Sequence, residues 1–132
     1  MLTDNLIDGR AIAQEVHAET ESRVASLKLA GVEPSLMFIR VGEDPASKVY
    51  VGMKERTAAR LGIRSDTTVL PESTSETGLL ELLRKLNADA SVHGVLVQAP
   101  LPVHIDETNV FSAVSPAKDV DGFHPLNAGK LM

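Results

Sequence analysis

Three short segments hold the residues of this chain best suited to chemistry: VGEDPASKVYVGMK (41–54), GVLVQAPLP (94–102) and PAKDVDGFHPLNAGKL (116–131). In the first, Ser47, Tyr50 and Lys54 are spaced so that a helix would carry all three on one face. A lysine on a partly dry wall can serve as general acid or base, because desolvation favours its neutral amine. In the second, Gln98 closes an apolar run and is followed at once by Ala-Pro-Leu-Pro. Proline cannot continue a central ladder, so the Gln98 amide is expected at the carboxyl edge of a sheet, where it could orient an amine without pinning it in an ion pair. In the third, Asp121 precedes Gly122, and a carboxylate held in a glycine turn can accept paired N–H donors from a heterocycle.

Taken singly, each pattern also has a plainer meaning. Tyr-x-x-x-Lys describes a solvated lysine beside a half-buried tyrosine equally well, Gln98 could simply satisfy loop backbone, and Asp-x-Asp-Gly is a common salt-bridged turn. The cluster of Lys118, Asp119, Asp121 and His124 invites calcium, but the third oxygen ligand before the glycine and the later glutamate of an EF-hand are both missing. His17, His93 and His104 are scattered singly, and there is no cysteine, so no metal site, disulfide or thiol chemistry is expected. No glycine-rich phosphate loop occurs, so no nucleotide site is expected either. Ala99-Pro100 and Leu101-Pro102 are both candidates for a cis bond, and the order of residues does not choose between them.

The elements that must position these residues follow from periodicity and caps. Asp8 to Ala30 has Ile12, Val16, Val24 and Leu27 near helical spacing and stops at Gly31. Ser35 to Val41 reads as a buried strand, and Asp44-Pro45 opens a helix that runs to about Leu61 and closes at Gly62. A strand is predicted at Thr67 to Leu70. Ser73 and Glu76 then form a capping box for a leucine-rich helix ending near Asn87. Val92 to Gln98 is a third strand, and Asp106 to Val114 a short helix. Strands alternating with helices predict an α/β fold, a three-layer αβα domain with a mainly parallel sheet, as one domain over 1–132.

Composition narrows the function classes. The chain has 132 residues, 43% hydrophobic and 23% charged, enough for one ordinary core. A formal net charge of −5 without an extended basic run argues against nucleic acid and acidic membranes, leaving a small molecule as the expected partner. No apolar run approaches the ~18 residues of a membrane span, and the acidic start matches no targeting peptide, so a cytoplasmic protein is expected.

In their order and spacing, VGEDPASKVYVGMKERTAARLGI, LNADASVHGVLVQAPLP and PAKDVDGFHPLNAGKL closely resemble the catalytic domain of the bifunctional methylenetetrahydrofolate dehydrogenase/methenyltetrahydrofolate cyclohydrolase family. The resemblance runs from Leu6 to Leu131. It implies that Lys54 is the catalytic lysine and that Tyr50 lines the folate cleft and helps position substrate. It further implies that Gln98 tunes and orients Lys54, that Asp121 grips the pterin, and that Ser47, Pro100 and Leu101 add substrate contacts. Family members oxidise methylenetetrahydrofolate with NADP and hydrolyse the methenyl product to formyltetrahydrofolate, which serves purine biosynthesis. They usually continue into a Rossmann-type NAD(P) domain that is not in this sequence. The expectation is therefore a folate-binding half with no bound cofactor of its own, monomeric or weakly associated where the full-length enzyme is a homodimer. The alternative is a non-catalytic folate-binding or interaction module left by truncation.

Overall fold

The computed structural model describes residues 6–132. Helix α1 (Gly9–Leu29) starts where the Asp8 carboxylate accepts the N–H groups of Arg10 and Ala11. The central strand β1 (Ser35–Val41) leads into α2 (Pro45–Arg60), capped by Asp44, whose carboxylate accepts Ser47 N–H at 2.7 Å. Then follow β2 (Arg64–Leu70), α3 (Glu76–Ala88), β3 (Gly94–Val97), α4 (Glu107–Ala113) and the short α5 (Pro125–Lys130).

The three strands form a parallel sheet in the order β2-β1-β3. The apolar sequence SLMFIRV suits β1 to the middle, while β2, rich in Thr, Ser and Asp, is half exposed at one edge. One sheet face carries Phe38 and Leu96 against Val51 of α2. The other carries Ile39, Val41, Val95 and Val97 against Leu79 and Leu83 of α3 and Val110 of α4. This is the expected three-layer αβα arrangement.

Several boundaries differ from the sequence reading. The cap of α3 is Ser75, whose Oγ accepts Gly78 N–H, and not Ser73. Glu76 closes no capping box. Its carboxylate instead accepts Asp106 N–H at 2.6 Å and the Asn109 amide at 3.2 Å, joining α3 to the start of α4. Strand β2 begins three residues earlier than expected, because pairing with β1 carries its ladder back to Arg64. Strand β3 is shorter at both ends, although Gln98 N–H still donates to Ile39 O at 2.8 Å, one step past the strand. In α1 the periodicity marks a helix but not a buried face: Val24 is its buried residue, while Ile12, Val16 and Leu27 are 50%, 53% and 43% exposed.

The segment after α4 lies along the free edge of β3. Val95 N–H donates to Lys118 O at 2.8 Å, and Val95 and Asp119 form an isolated parallel bridge. The approach requires Gly94, since a Cβ there would stand 2.6 Å from both Leu36 Cδ2 and Val120 Cγ1.

Candidate active site

The carboxyl end of the sheet brings the first two segments into contact. Lys54 Nζ donates to Gln98 Oε1 at 2.9 Å, although 44 residues separate them. Gln98 Nε2 in turn donates to Ala99 O at 2.9 Å, so the amide presents its oxygen to the lysine. The Ala99-Pro100 peptide is cis, which selects the first of the two candidate bonds. Ser47 is 2% exposed, and its Oγ lies between the Asp44 carboxylate that caps α2 and the same Ala99 carbonyl, 3.5 Å from the latter. Tyr50, 55% exposed, stands one turn before Lys54 on the same helix face with its ring open to a flat ligand.

Leu101 sits apart from the others. Its side chain is buried in the core and its N–H donates to Glu107 Oε1 at 3.0 Å, so it anchors the loop from below, whereas Pro100 is exposed above it. A groove of about 440 Å³ runs from Lys54 along α2, lined by Phe38, Met53, Thr57, Leu96 and Val120.

The third segment divides its charges between structure and site. Lys118 Nζ donates to Leu86 O at 2.9 Å and Asp89 O at 2.7 Å, satisfying the carbonyl end of α3. Asp119 accepts Gly122 N–H at 3.1 Å, His124 N–H at 2.9 Å and the Asn127 side-chain amide at 3.0 Å. Burial alone would raise its pKa, but these hydrogen bonds outweigh that and hold it below the usual carboxylate range. Asp121, at the other side of the turn, keeps an exposed surface, yet the protein around its carboxyl removes enough water to raise its pKa. The Lys54 charge pulls against that rise and the Asp119 charge adds to it.

Each histidine has a local partner. His17 meets Arg60, the His93 ring accepts Ser35 N–H, His104 reaches Thr74 O, and His124 caps α5 by accepting Leu126 N–H. Among the described residues no three His, Asp or Glu side chains gather as a metal site, and no helix is long and apolar enough to cross a membrane.

Sequence reasoning did not single out the clamping role of Asp119, or Asn127 and Glu107 at all. The Asp119 turn had a readable signal, an aspartate three residues before a glycine, which is a recurrent backbone-capping pattern. Asn127 and Glu107 act through loop contacts that follow no helical or strand spacing, Glu107 on Leu101 N–H and Asn127 on Asp119 and Pro116.

The fold and the site together define an α/β domain that sets a lysine against a glutamine amide at the carboxyl end of a parallel sheet. Residues 7–121 match the family described as tetrahydrofolate dehydrogenase/cyclohydrolase, catalytic domain, and the chain belongs to that family. It is 53% identical over 127 residues to a bifunctional protein FolD of Exiguobacterium sibiricum, covering 96% of this chain and 46% of that protein. The fold superposes on the bifunctional FolD methylenetetrahydrofolate dehydrogenase/cyclohydrolase of Campylobacter jejuni with a TM-score of 0.91 at 42% identity, covering 94% of this chain and 44% of that one. The methylenetetrahydrofolate dehydrogenase-cyclohydrolase of Trypanosoma brucei, a structure complexed with NADP and inhibitor, gives a TM-score of 0.87 at 36% identity, over 96% of this chain and 43% of that one. The chain thus spans under half the length of the curated relatives it matches.

Proposed function

We propose that this chain is the folate side of an enzyme that oxidises 5,10-methylenetetrahydrofolate with NADP and hydrolyses the methenyl product to 10-formyltetrahydrofolate, in the cytoplasm. The observation that carries this reading is the Lys54–Gln98 contact at 2.9 Å. A flat pterin would lie between Tyr50 and the Gln98–Pro100 loop, with the Asp121 carboxylate accepting its paired N–H groups. Leu101 and Ser47 act as supports of that loop.

Hydrolysis of the methenyl cation needs addition of water at the one-carbon bridge, breaking of one C–N bond, movement of one proton from the added water to the departing nitrogen, and release of the other water proton to solvent as the formyl C=O forms. Lys54 is the group able to carry that proton, taking it from water as the amine and returning it as the ammonium. Gln98 holds Nζ in place through a neutral acceptor, so neither protonation state is locked by a fixed countercharge.

The described residues do not fit a nucleotide. No glycine-rich phosphate loop is present, and the helix start after the central strand, where a phosphate commonly binds, is filled by the Asp44 carboxylate. In this reading NADP is held by protein outside these residues, and this chain alone is monomeric or weakly associated while the whole enzyme is a homodimer.

The test is cyclohydrolase turnover of 5,10-methenyltetrahydrofolate by this chain with no NADP added. Slow turnover that disappears in Lys54→Met is expected. Folate binding without any lysine-dependent turnover would instead identify a binding module, and absence of both would refute the folate reading.

A further inference from the structure

The central strand contains one residue that packing alone does not explain. Arg40 lies in the apolar run SLMFIRV and is only 9% exposed. Strand alternation places it on the Phe38 side, facing α2, opposite Ile39 and Val41. Burying a guanidinium is costly, and an aliphatic side chain would fill the same space without that cost.

The Arg40 contacts lead into the candidate site. Its Nη1 donates to Gly42 O, and the same nitrogen lies 3.7 Å from the Glu43 carboxylate. Gly42 itself has φ +82°, the left-handed region that favours glycine, and its N–H donates to Leu70 O at 2.8 Å, so Arg40 adds a second tie to this turn at the Gly42 carbonyl. Hydrogen bonds from the Ser47 N–H and hydroxyl hold the Asp44 carboxyl below its usual range, and the Arg40 charge adds to that effect. Asp44 fixes Ser47, Ser47 reaches Ala99 O, Ala99 O orients the Gln98 amide, and Gln98 holds Lys54. From the other end, Gln98 N–H is bonded to Ile39 O, beside Arg40 in the strand.

We propose that Arg40 is a positioning residue: it fixes the Gly42–Asp44 turn and, through Ser47 and Ala99, the orientation in which Gln98 presents its oxygen to Lys54. The inference deepens the folate-site reading and rests on it for its binding consequence alone. It is tested on the 132-residue chain with Arg40→Met and Arg40→Lys. The first readout is the Gln98 side-chain amide and Ser47 backbone N–H signals in nitrogen-15 NMR. The second is affinity for 5,10-methenyltetrahydrofolate.

Arg40→Met should shift both sets of signals and weaken binding by about tenfold, as small misplacements of a site do. Arg40→Lys keeps the charge and N–H donors but loses the planar guanidinium and its reach to Gly42 O, so it should fall between the unmodified chain and Arg40→Met. Lower melting temperatures with Gln98 and Ser47 signals unchanged would overturn the proposal in favour of a purely structural arginine. If Arg40→Met does not fold, Arg40→Lys decides alone: intermediate shifts support the role and unchanged signals refute it. Failure of the unmodified chain to bind the ligand would count against the folate reading, while the NMR signals would still judge Arg40.

Discussion

At the scale of single residues, Lys54, Gln98 and Asp121 differ in what each can do, and substitutions should separate them. Lys54→Met removes the proton carrier and leaves the shape of the cleft, so cyclohydrolase turnover of the whole enzyme should vanish while folate affinity stays within roughly tenfold, measured by steady-state rates beside equilibrium binding. Asp121→Ala should show the reverse, binding weakened by about tenfold or more through loss of a charge-assisted pair. Gln98→Glu would set a fixed negative charge 2.9 Å from the lysine, hold it as ammonium, and slow the step that needs the amine. Near-normal turnover in Lys54→Met would end this division of roles. Acidity offers a further check. Because the Asp121 pKa is raised by burial, its carboxylate protonates at higher pH than an ordinary aspartate, and folate affinity should begin to fall on acidification before such an aspartate titrates.

At the scale of elements, the decisive contact is the one between β3 and the 118–122 segment. A methyl group at residue 94 would press on Leu36, whose end can swing away, and on Val120, whose branched side chain cannot. Gly94→Ala should therefore displace Asp121 along with Val120 and weaken folate binding by about tenfold while the protein still folds. Calorimetric titration beside a melting curve checks it, and unchanged affinity would mean that the segment's backbone does not set the Asp121 position. Helix α1 is the opposite case. With Val24 as its buried residue, it should exchange its amides well before β1 and α3 in a hydrogen-exchange experiment.

At the scale of the whole molecule, stability rests on the face between the sheet and α3. Leu79 and Leu83 have no exposed surface, so Leu83→Ala should cost about 2–5 kcal/mol in chemical denaturation, as large-to-small changes in closed cores do. The Asp119 pKa is lowered in the fold, so its contribution is fully present above the unfolded-state value of about 3.9 and is lost as pH falls through that value toward its lower folded pKa. Asp119→Asn should flatten that acid limb of the stability profile. An unaltered limb would show that the clamp is worth little.

The sequence by itself determined the alternation of elements, the cap at Asp44, and the placing of Ser47, Tyr50 and Lys54 on one helix face. These depend on spacings of a few residues, where backbone geometry acts directly. Tertiary structure alone decided that Lys54 meets Gln98 across 44 residues, that Ala99-Pro100 is the cis bond, and that Glu76 joins α4 instead of capping its own helix. It also decided that the apolar stripe of α1 stays mostly in solvent and that, of two aspartates two residues apart, Asp119 is consumed by three donors while Asp121 is not. The physical reason is common to all of these. Periodicity shows which groups can share a face, but which face is covered and which donor reaches a given acceptor depend on segments far away in the chain, brought together only when the sheet assembles.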